Sequence, residues 1–163
     1  PVFAWLWTFL GRRGREPSTP VKFALGIAQA ALGFGALVIG AARPNEAGLV
    51  AGYWMVLAYL LHTTGELCLS PVGLSAVTKL AVPSVVGVMM GSWFLATAYS
   101  EYVAVQLAKL ATVETVDGAV KNIGAAVASY AELFNSLFYV GLAVAAVLLL
   151  ISPLLKKMMH GIH

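Results

Sequence analysis

The stretch AGLVAGYWMVLAYLLHTTGELCLSPVGLSAVT, residues 47–78, is long, apolar and punctuated by glycine and proline near its end. Its 32 residues would form a helix of about 48 Å, whereas the hydrocarbon core of a bilayer is about 30 Å thick. Pro71 lacks a backbone N–H, which leaves the carbonyl of Leu67 without its helical partner. We therefore predict a transmembrane helix over 47–78 that is broken near Pro71, with Gly65 and Gly73 as part of the break.

The composition of the whole chain also indicates a membrane protein. Of its 163 residues, 60% are apolar and only 10% are charged. A soluble domain of this size cannot bury so many apolar side chains. The fold class is therefore all-α integral membrane, which excludes a cytoplasmic domain, a disordered tail and a nucleic-acid partner. The single cysteine, Cys68, excludes a disulfide within the chain and a cysteine-based metal site.

The remaining apolar runs predict a multipass protein embedded in membrane lipid. Residues 1–10 are too few to span a bilayer and are interpreted as the end of a transmembrane helix that starts before Pro1. The other predicted segments are a loop over 11–20, helices over 21–42 and 82–110, an external connection over 111–124, a helix with an external extension over 125–155, and a tail over 156–163.

The distribution of lysine and arginine predicts the orientation of these helices. Cytoplasmic loops are enriched in both residues. Seven fall on one side of the predicted membrane and three on the other, so the first side, with the C-terminal tail, is predicted to be cytoplasmic. The seven are Arg12, Arg13, Arg15, Lys22, Lys79, Lys156 and Lys157, and the three are Arg43, Lys109 and Lys121.

Glu66 is the main candidate for a functional residue, because it is the only acid deep inside a predicted span. Ionisable residues at that depth are costly and usually functional. The alternative is a structural ion pair in a channel or membrane-complex subunit. His62 lies one helical turn before Glu66, and we expect it to be hydrogen-bonded within the bundle. A metal held by these two residues would lack a third ligand. No catalytic residues and no cofactor are predicted, so the chain is not expected to be an enzyme.

Two further patterns concern the neighbouring helices. Counting residues on both sides of the turn at 79–83 places Trp93 within about one helical turn of the depth of Glu66. The glycines form two G-x-x-x-G pairs and one heptad series, patterns that allow helices to approach closely. The pairs are Gly48 with Gly52 and Gly87 with Gly91, and the series is Gly26, Gly33 and Gly40.

Two segments closely resemble the bacterial proton-dependent oligopeptide transporters of the major facilitator superfamily. The first runs from His62 to Ala81 and contains the run Gly-Glu-Leu-Cys-Leu-Ser-Pro over 65–71. The second runs from Gly87 to Ala98 and contains Trp93 and Phe94. The resemblance implies the C-terminal portion of a twelve-helix bundle, namely the end of the eighth helix and helices nine to twelve. It also implies a partner, the N-terminal six-helix half of the same transporter.

The resemblance further implies an activity and roles for individual residues. The family imports di- and tripeptides together with protons, which act as the coupling ion, across the inner membrane. Glu66 corresponds to a glutamate that faces the peptide amino group and takes part in proton coupling. Ser70 corresponds to a polar residue near the same site, and Trp93 and Phe94 to aromatic residues of the peptide pocket and inner gate.

Overall fold

A computed structural model of the protein describes residues 2–111, 115–116, 119–120 and 122–159. The fold is all-helical apart from one short hairpin, in which Thr115 pairs with Val120 and Val116 with Ala119. Short 3-10 turns cover Pro83–Val85 and Lys109–Ala111. The helices are α1 (Val2–Arg12), α2 (Thr19–Ala41), α3 (Gly52–Leu80), α4 (Val86–Ala108) and α5 (Ile123–Met158), and the hairpin strands are β1 (Thr115–Val116) and β2 (Ala119–Val120).

Helix α2 is the centre of the bundle and packs along both α3 and α5. Its small residues make this possible, because they let neighbouring helices come close. All three glycines of the heptad series face α3: Gly26 meets Gly65, Gly33 meets His62 and Gly40 meets Trp54. The expectation that this series serves helix packing is confirmed.

The contacts of α2 show that α3 and α5 both run antiparallel to it. Early residues of α2 meet late residues of α3, as in the contact between Gly26 and Gly65. On α5, Ala31 meets Gly141, and the rings of Phe34 and Phe134 stack with centroids 5.9 Å apart. The start of α2 and the ends of α3 and α5 therefore lie at one end of the bundle. We call it the basic end, because it carries the seven lysines and arginines predicted to share one side of the membrane. Of the three predicted for the other side, Lys121 lies outside the described residues.

The surface of the chain is apolar over large areas, as expected for helices in lipid or against other helices. Leu95 on α4 is 72% exposed and Leu150 on α5 is 80% exposed. Helices α2 and α5 are long and apolar enough to cross a membrane by length and composition alone. Helix α3 differs from them because His62, Glu66 and Lys79 interrupt its apolar sequence.

The connection between α2 and α3 is a tight turn rather than helix. The side-chain Oδ1 of Asn45 accepts hydrogen bonds from the backbone N–H groups of Ala47 and Leu49 at 3.0 and 2.9 Å. Gly48 has a φ of 77°, a conformation that glycine adopts without strain. Gly48 and Gly52 therefore do not form a helix-packing pair, and that prediction is wrong.

The predicted break in the 47–78 helix is also wrong, because α3 is continuous from Gly52 to Leu80 with Pro71 inside it. A proline removes one hydrogen bond, whereas a full interruption would free several backbone groups in a membrane span. Gly65 and Gly73 have another role: Gly65 lies against the backbone of Gly26, and Gly73 against the ring of Trp93. These glycines allow close approach and do not break the helix.

Candidate functional site

A row of polar residues follows one flank of α3 at intervals of three and four residues. Residues at this spacing share a face of a helix. Glu66 is the central residue of this 29-residue helix, so it lies far from both ends. We call this row the polar stripe, and its members are Tyr59, Thr63, Glu66 and Ser70.

Most of the polar stripe is uncovered in this chain. Tyr59 is 70% exposed, Thr63 and Glu66 are exposed, and Ser70 is half-buried. The carboxylate of Glu66 makes no hydrogen bond or salt bridge with any group that the structure describes. An acid in the middle of an apolar helix needs polar surroundings, so its partners must come from elsewhere in the protein, from ligand or from water.

The adjoining flank of α3, which at Gly65 is about 100° around the helix from Glu66, packs directly on the backbone of α2. A Cβ built on Gly65 would lie 2.6 Å from the carbonyl oxygen of Gly26, and one on Gly26 would lie 2.7 Å from the carbonyl oxygen of Gly65. The amide Nε2 of Gln29 lies 3.9 Å from the sulfur of Cys68, which is 1% exposed. This glycine crossing fixes the rotation of α3 and thereby the direction of the polar stripe.

His62 contributes to the same packed flank. Its Nε2 donates a hydrogen bond of 3.0 Å to the carbonyl oxygen of Ala30 on α2, and its ring lies 4.7 Å from that of Phe34, centroid to centroid. The expected hydrogen bond within the bundle is confirmed. These two contacts give His62 a packing role. The described residues contain no group of three metal-ligating side chains.

Trp93 lies closer to the basic end than the residue count predicts. Its indole lies on Gly73 and makes an edge contact with the ring of Phe23 on α2, with centroids 6.4 Å apart. Gly73 is seven residues beyond Glu66, which corresponds to roughly 10 Å along the helix. The reason is that helical side chains tilt toward the start of their own helix, and α4 starts at the basic end. The structure does not place the indole directly beside Glu66.

The remaining predicted positions on α4 face open space. Phe94 is 59% exposed, and nothing among the described residues lies within 4 Å of a Cβ built on Gly87 or Gly91. Helix α4 has no buried residue and contacts α3 only sparsely. The polar stripe of α3 and much of α4 therefore form surfaces that this chain does not cover.

Sequence reasoning missed Tyr59 as a member of the polar stripe. Its signal was available, because it precedes Glu66 by seven residues, or two helical turns. Two apolar cavities of about 370 and 520 Å³ lie at the end of the bundle opposite the basic end. Neither is lined by a residue of the polar stripe, so the stripe is separate from both.

Comparison with known proteins gives a consistent result. Residues 1–133 match the PTR2 model of the POT family. The chain is 40% identical over 162 residues to "Uncharacterized transporter YclF" of Bacillus subtilis, covering 99% of the chain and 30% of that protein. It is 37% identical over 163 residues to "Dipeptide and tripeptide permease B" of Aliivibrio fischeri, covering 98% of the chain and 32% of that protein.

The solved structures agree with the sequence relatives. A crystal structure of the peptide transporter POT in complex with sulfate superimposes with a TM-score of 0.80 at 36% identity, over 99% of this chain and 29% of that one. The chain thus spans about 30% of the length of the relatives it matches. These relatives are permeases and transporters, not enzymes. The chain belongs to the POT family of membrane transporters.

Proposed function

We propose that this chain is part of the C-terminal half of a proton-coupled symporter that imports di- and tripeptides by alternating access. The observation that carries the proposal is the carboxylate of Glu66 at the centre of α3, which is uncovered and has no partner among the described residues. It supports a site completed by groups outside this chain. Relatives named as dipeptide and tripeptide permeases support a peptide as the ligand.

A carboxylate can exchange a proton for a peptide ammonium group. A protonated carboxyl is neutral and donates a hydrogen bond, whereas the ionised form pairs with a cation such as a peptide ammonium group. Arrival of a peptide therefore displaces the proton of Glu66, and each binding event alters the affinity for the other by the same factor. Import of both in the same direction then requires that the displaced proton pass to another acceptor of the full transporter and leave to the inside with the peptide.

The other candidate residues contribute to binding of the peptide around Glu66. Ser70 lies one turn from Glu66 on the same flank and offers a hydroxyl to the peptide backbone. Phe94 is exposed on α4 and supplies an aromatic surface for apolar side chains of the peptide. Trp93 lies nearer the basic end, which supports a role between the pocket and the inner gate.

We further infer that the basic end is cytoplasmic and that the protein resides in the inner membrane. Seven cations lie at this end, whereas Arg43 and Lys109 lie at the other. The uncovered surfaces of α3 and α4 would then face the N-terminal six-helix half and the substrate path, with other apolar surfaces in lipid.

The test compares Glu66→Gln with Glu132→Gln in the full transporter. Glu132 is an exposed acid on α5 and serves as the matched control. Uptake of a labelled dipeptide under an imposed pH gradient and dipeptide binding across pH are both measured. Glu66→Gln should lose accumulation and the pH dependence of binding, while remaining folded, and Glu132→Gln should keep both. If Glu66→Gln still accumulates dipeptide at the original rate, the coupling role is wrong. If it unfolds instead, Glu66 is part of a structural ion pair.

A further inference from the structure

A buried lysine joins α1 to α2 at the basic end. The side chain of Lys22, in the first turns of α2, is 8% exposed and forms a salt bridge with Glu16. Its ammonium also lies 5.0 Å from the centre of the Trp7 ring on α1, a cation–π distance. Because a buried charge is costly unless it is paired, these two contacts offset the cost of burying the ammonium group.

The chain between α1 and α2 is folded so that Glu16 can reach Lys22. The N–H of Arg15 donates to the carbonyl of Leu10 at 3.0 Å, and Gly14 has a φ of 63°. This turn reverses the chain after α1, as glycine does at many helix ends. A Cβ built on Gly11 would lie 3.0 Å from Oε2 of Glu16, so the carboxylate lies directly on the last turn of α1.

Lys22 differs from the other cations at this end. It is the one lysine or arginine that is buried within the part of the chain that the structure describes. Those at the same end are exposed: Arg12, Arg13, Arg15, Lys79, Lys156 and Lys157. An exposed lysine would be sufficient to set membrane orientation, so burial and pairing of Lys22 point to an additional role.

We propose that Lys22 is a positioning residue that fastens the end of α1 to the start of α2, with Glu16 and Trp7 as its two partners. Packing between α1 and the rest of the bundle is otherwise sparse, so this cluster decides whether the two helix ends move together. In a transporter that changes conformation, the cluster makes the end of α1 and the start of α2 move as one rigid unit. The inference goes beyond the proposed function, because it holds whatever ligand is carried.

The test measures the distance between spin labels on α1 and α2 in the full transporter. Labels are placed at Arg12 and Leu25, both exposed, in a background without other cysteines. The unmodified cluster should give one narrow distance distribution that does not change when a dipeptide is added. Lys22→Met, Glu16→Gln and Gly11→Val should each broaden it, and Lys156→Met, an exposed lysine at the same end, should not.

Rescue distinguishes pairing from simple loss of packing. A double variant with Glu16→Lys and Lys22→Glu should recover only part of the narrow distribution, because the opposite charges still meet but the carboxylate at position 22 loses the cation–π contact with Trp7. Glu16 is 36% exposed and Gln has nearly its shape, so Glu16→Gln should fold even if Lys22→Met does not. A distribution in Glu16→Gln as narrow as that of the unmodified protein would overturn the proposal. So would broadening by Lys156→Met of the same extent.

Discussion

The two flanks of α3 are built from opposite kinds of contact. On the flank that faces α2, Gly65 lies against the backbone of Gly26, and His62 donates a hydrogen bond to the carbonyl of Ala30. On the other flank, Glu66 is exposed and unpaired among the described residues. Gly65 and Glu66 are adjacent in sequence, but a helix turns about 100° per residue, so neighbours serve different surfaces.

The difference shows how one helix combines a closely packed flank with an exposed polar one. On the packed flank the ring nitrogen of His62 finds its hydrogen-bond partner within the chain, which fixes the geometry there. The open flank leaves a carboxylate for partners that are not on α3, a costly arrangement in an apolar environment. Substitutions on the packed flank should therefore change stability first, and substitutions on the open flank should change transport first.

Gly65→Leu is expected to have the largest effect on stability. The new side chain would collide with the carbonyl of Gly26, which is backbone and cannot rotate away. Overpacking costs about 1–3 kcal/mol and occasionally more, and a collision with backbone belongs at the upper end of that range, so the yield of monodisperse protein and its thermal midpoint in detergent should fall sharply. Gly87→Leu is the control, because open space surrounds Gly87 among the described residues. Equal midpoints for the two variants would contradict the glycine crossing.

Trp93→Ala is expected to have the second largest effect on stability. It should lower stability by about 3 kcal/mol, because removal of the ring leaves a gap beside Gly73. Trp54→Ala is a matched control, because Trp54 also packs on a glycine, Gly40 of α2. The two should be similarly destabilised, but Trp93→Ala should weaken dipeptide binding by the full transporter more. Equal binding by the two variants would remove Trp93 from the peptide pocket.

His62→Ala should lower stability by about 2 kcal/mol, because it removes one hydrogen bond to α2 and a ring contact with Phe34. Thr63→Ala, at the exposed neighbouring position, should leave the thermal midpoint almost unchanged. Proton-driven uptake per folded molecule should survive in His62→Ala, in contrast to Glu66→Gln. If uptake is lost while the protein stays folded, His62 belongs to the coupling site as well.

The sequence predicted the position of Glu66 within its helix and the clustering of cations at one end, because both signals are local. An acid inside an apolar run has few explanations, and lysine and arginine accumulate at alternate helix ends. The roles of Gly65 and Gly73 could not be predicted from the sequence in the same way, since they depend on which helix packs against each glycine. The burial of Lys22 was equally hidden, because the order of charges does not show that the chain folds back over α1.

Pro71→Ala has the smallest expected effect on stability, and it should raise stability, whereas the substitutions above should lower it. Pro71 is exposed inside a continuous helix, so alanine creates no cavity and supplies the N–H that the carbonyl of Leu67 lacks. The gain should be about 1 kcal/mol, the net value of one hydrogen bond. The position is two turns from the end of α3 nearest the basic end, where a softer helix would let that end move.

Pro153→Ala separates this gain from an effect on transport. Pro153 is also exposed and lies inside α5. The carbonyl of Leu149, four residues before it, already accepts a hydrogen bond from Ser152 Oγ at 2.8 Å, so Pro153→Ala should stabilise the protein less. Turnover of a dipeptide and its binding affinity are measured for both variants of the full transporter. Pro71→Ala should slow turnover more than it changes affinity, because it stiffens the helix that carries the polar stripe, whereas Pro153→Ala should change neither. Turnover that is unaffected by Pro71→Ala would show that α3 carries Glu66 as a rigid element and that the conformational change occurs elsewhere.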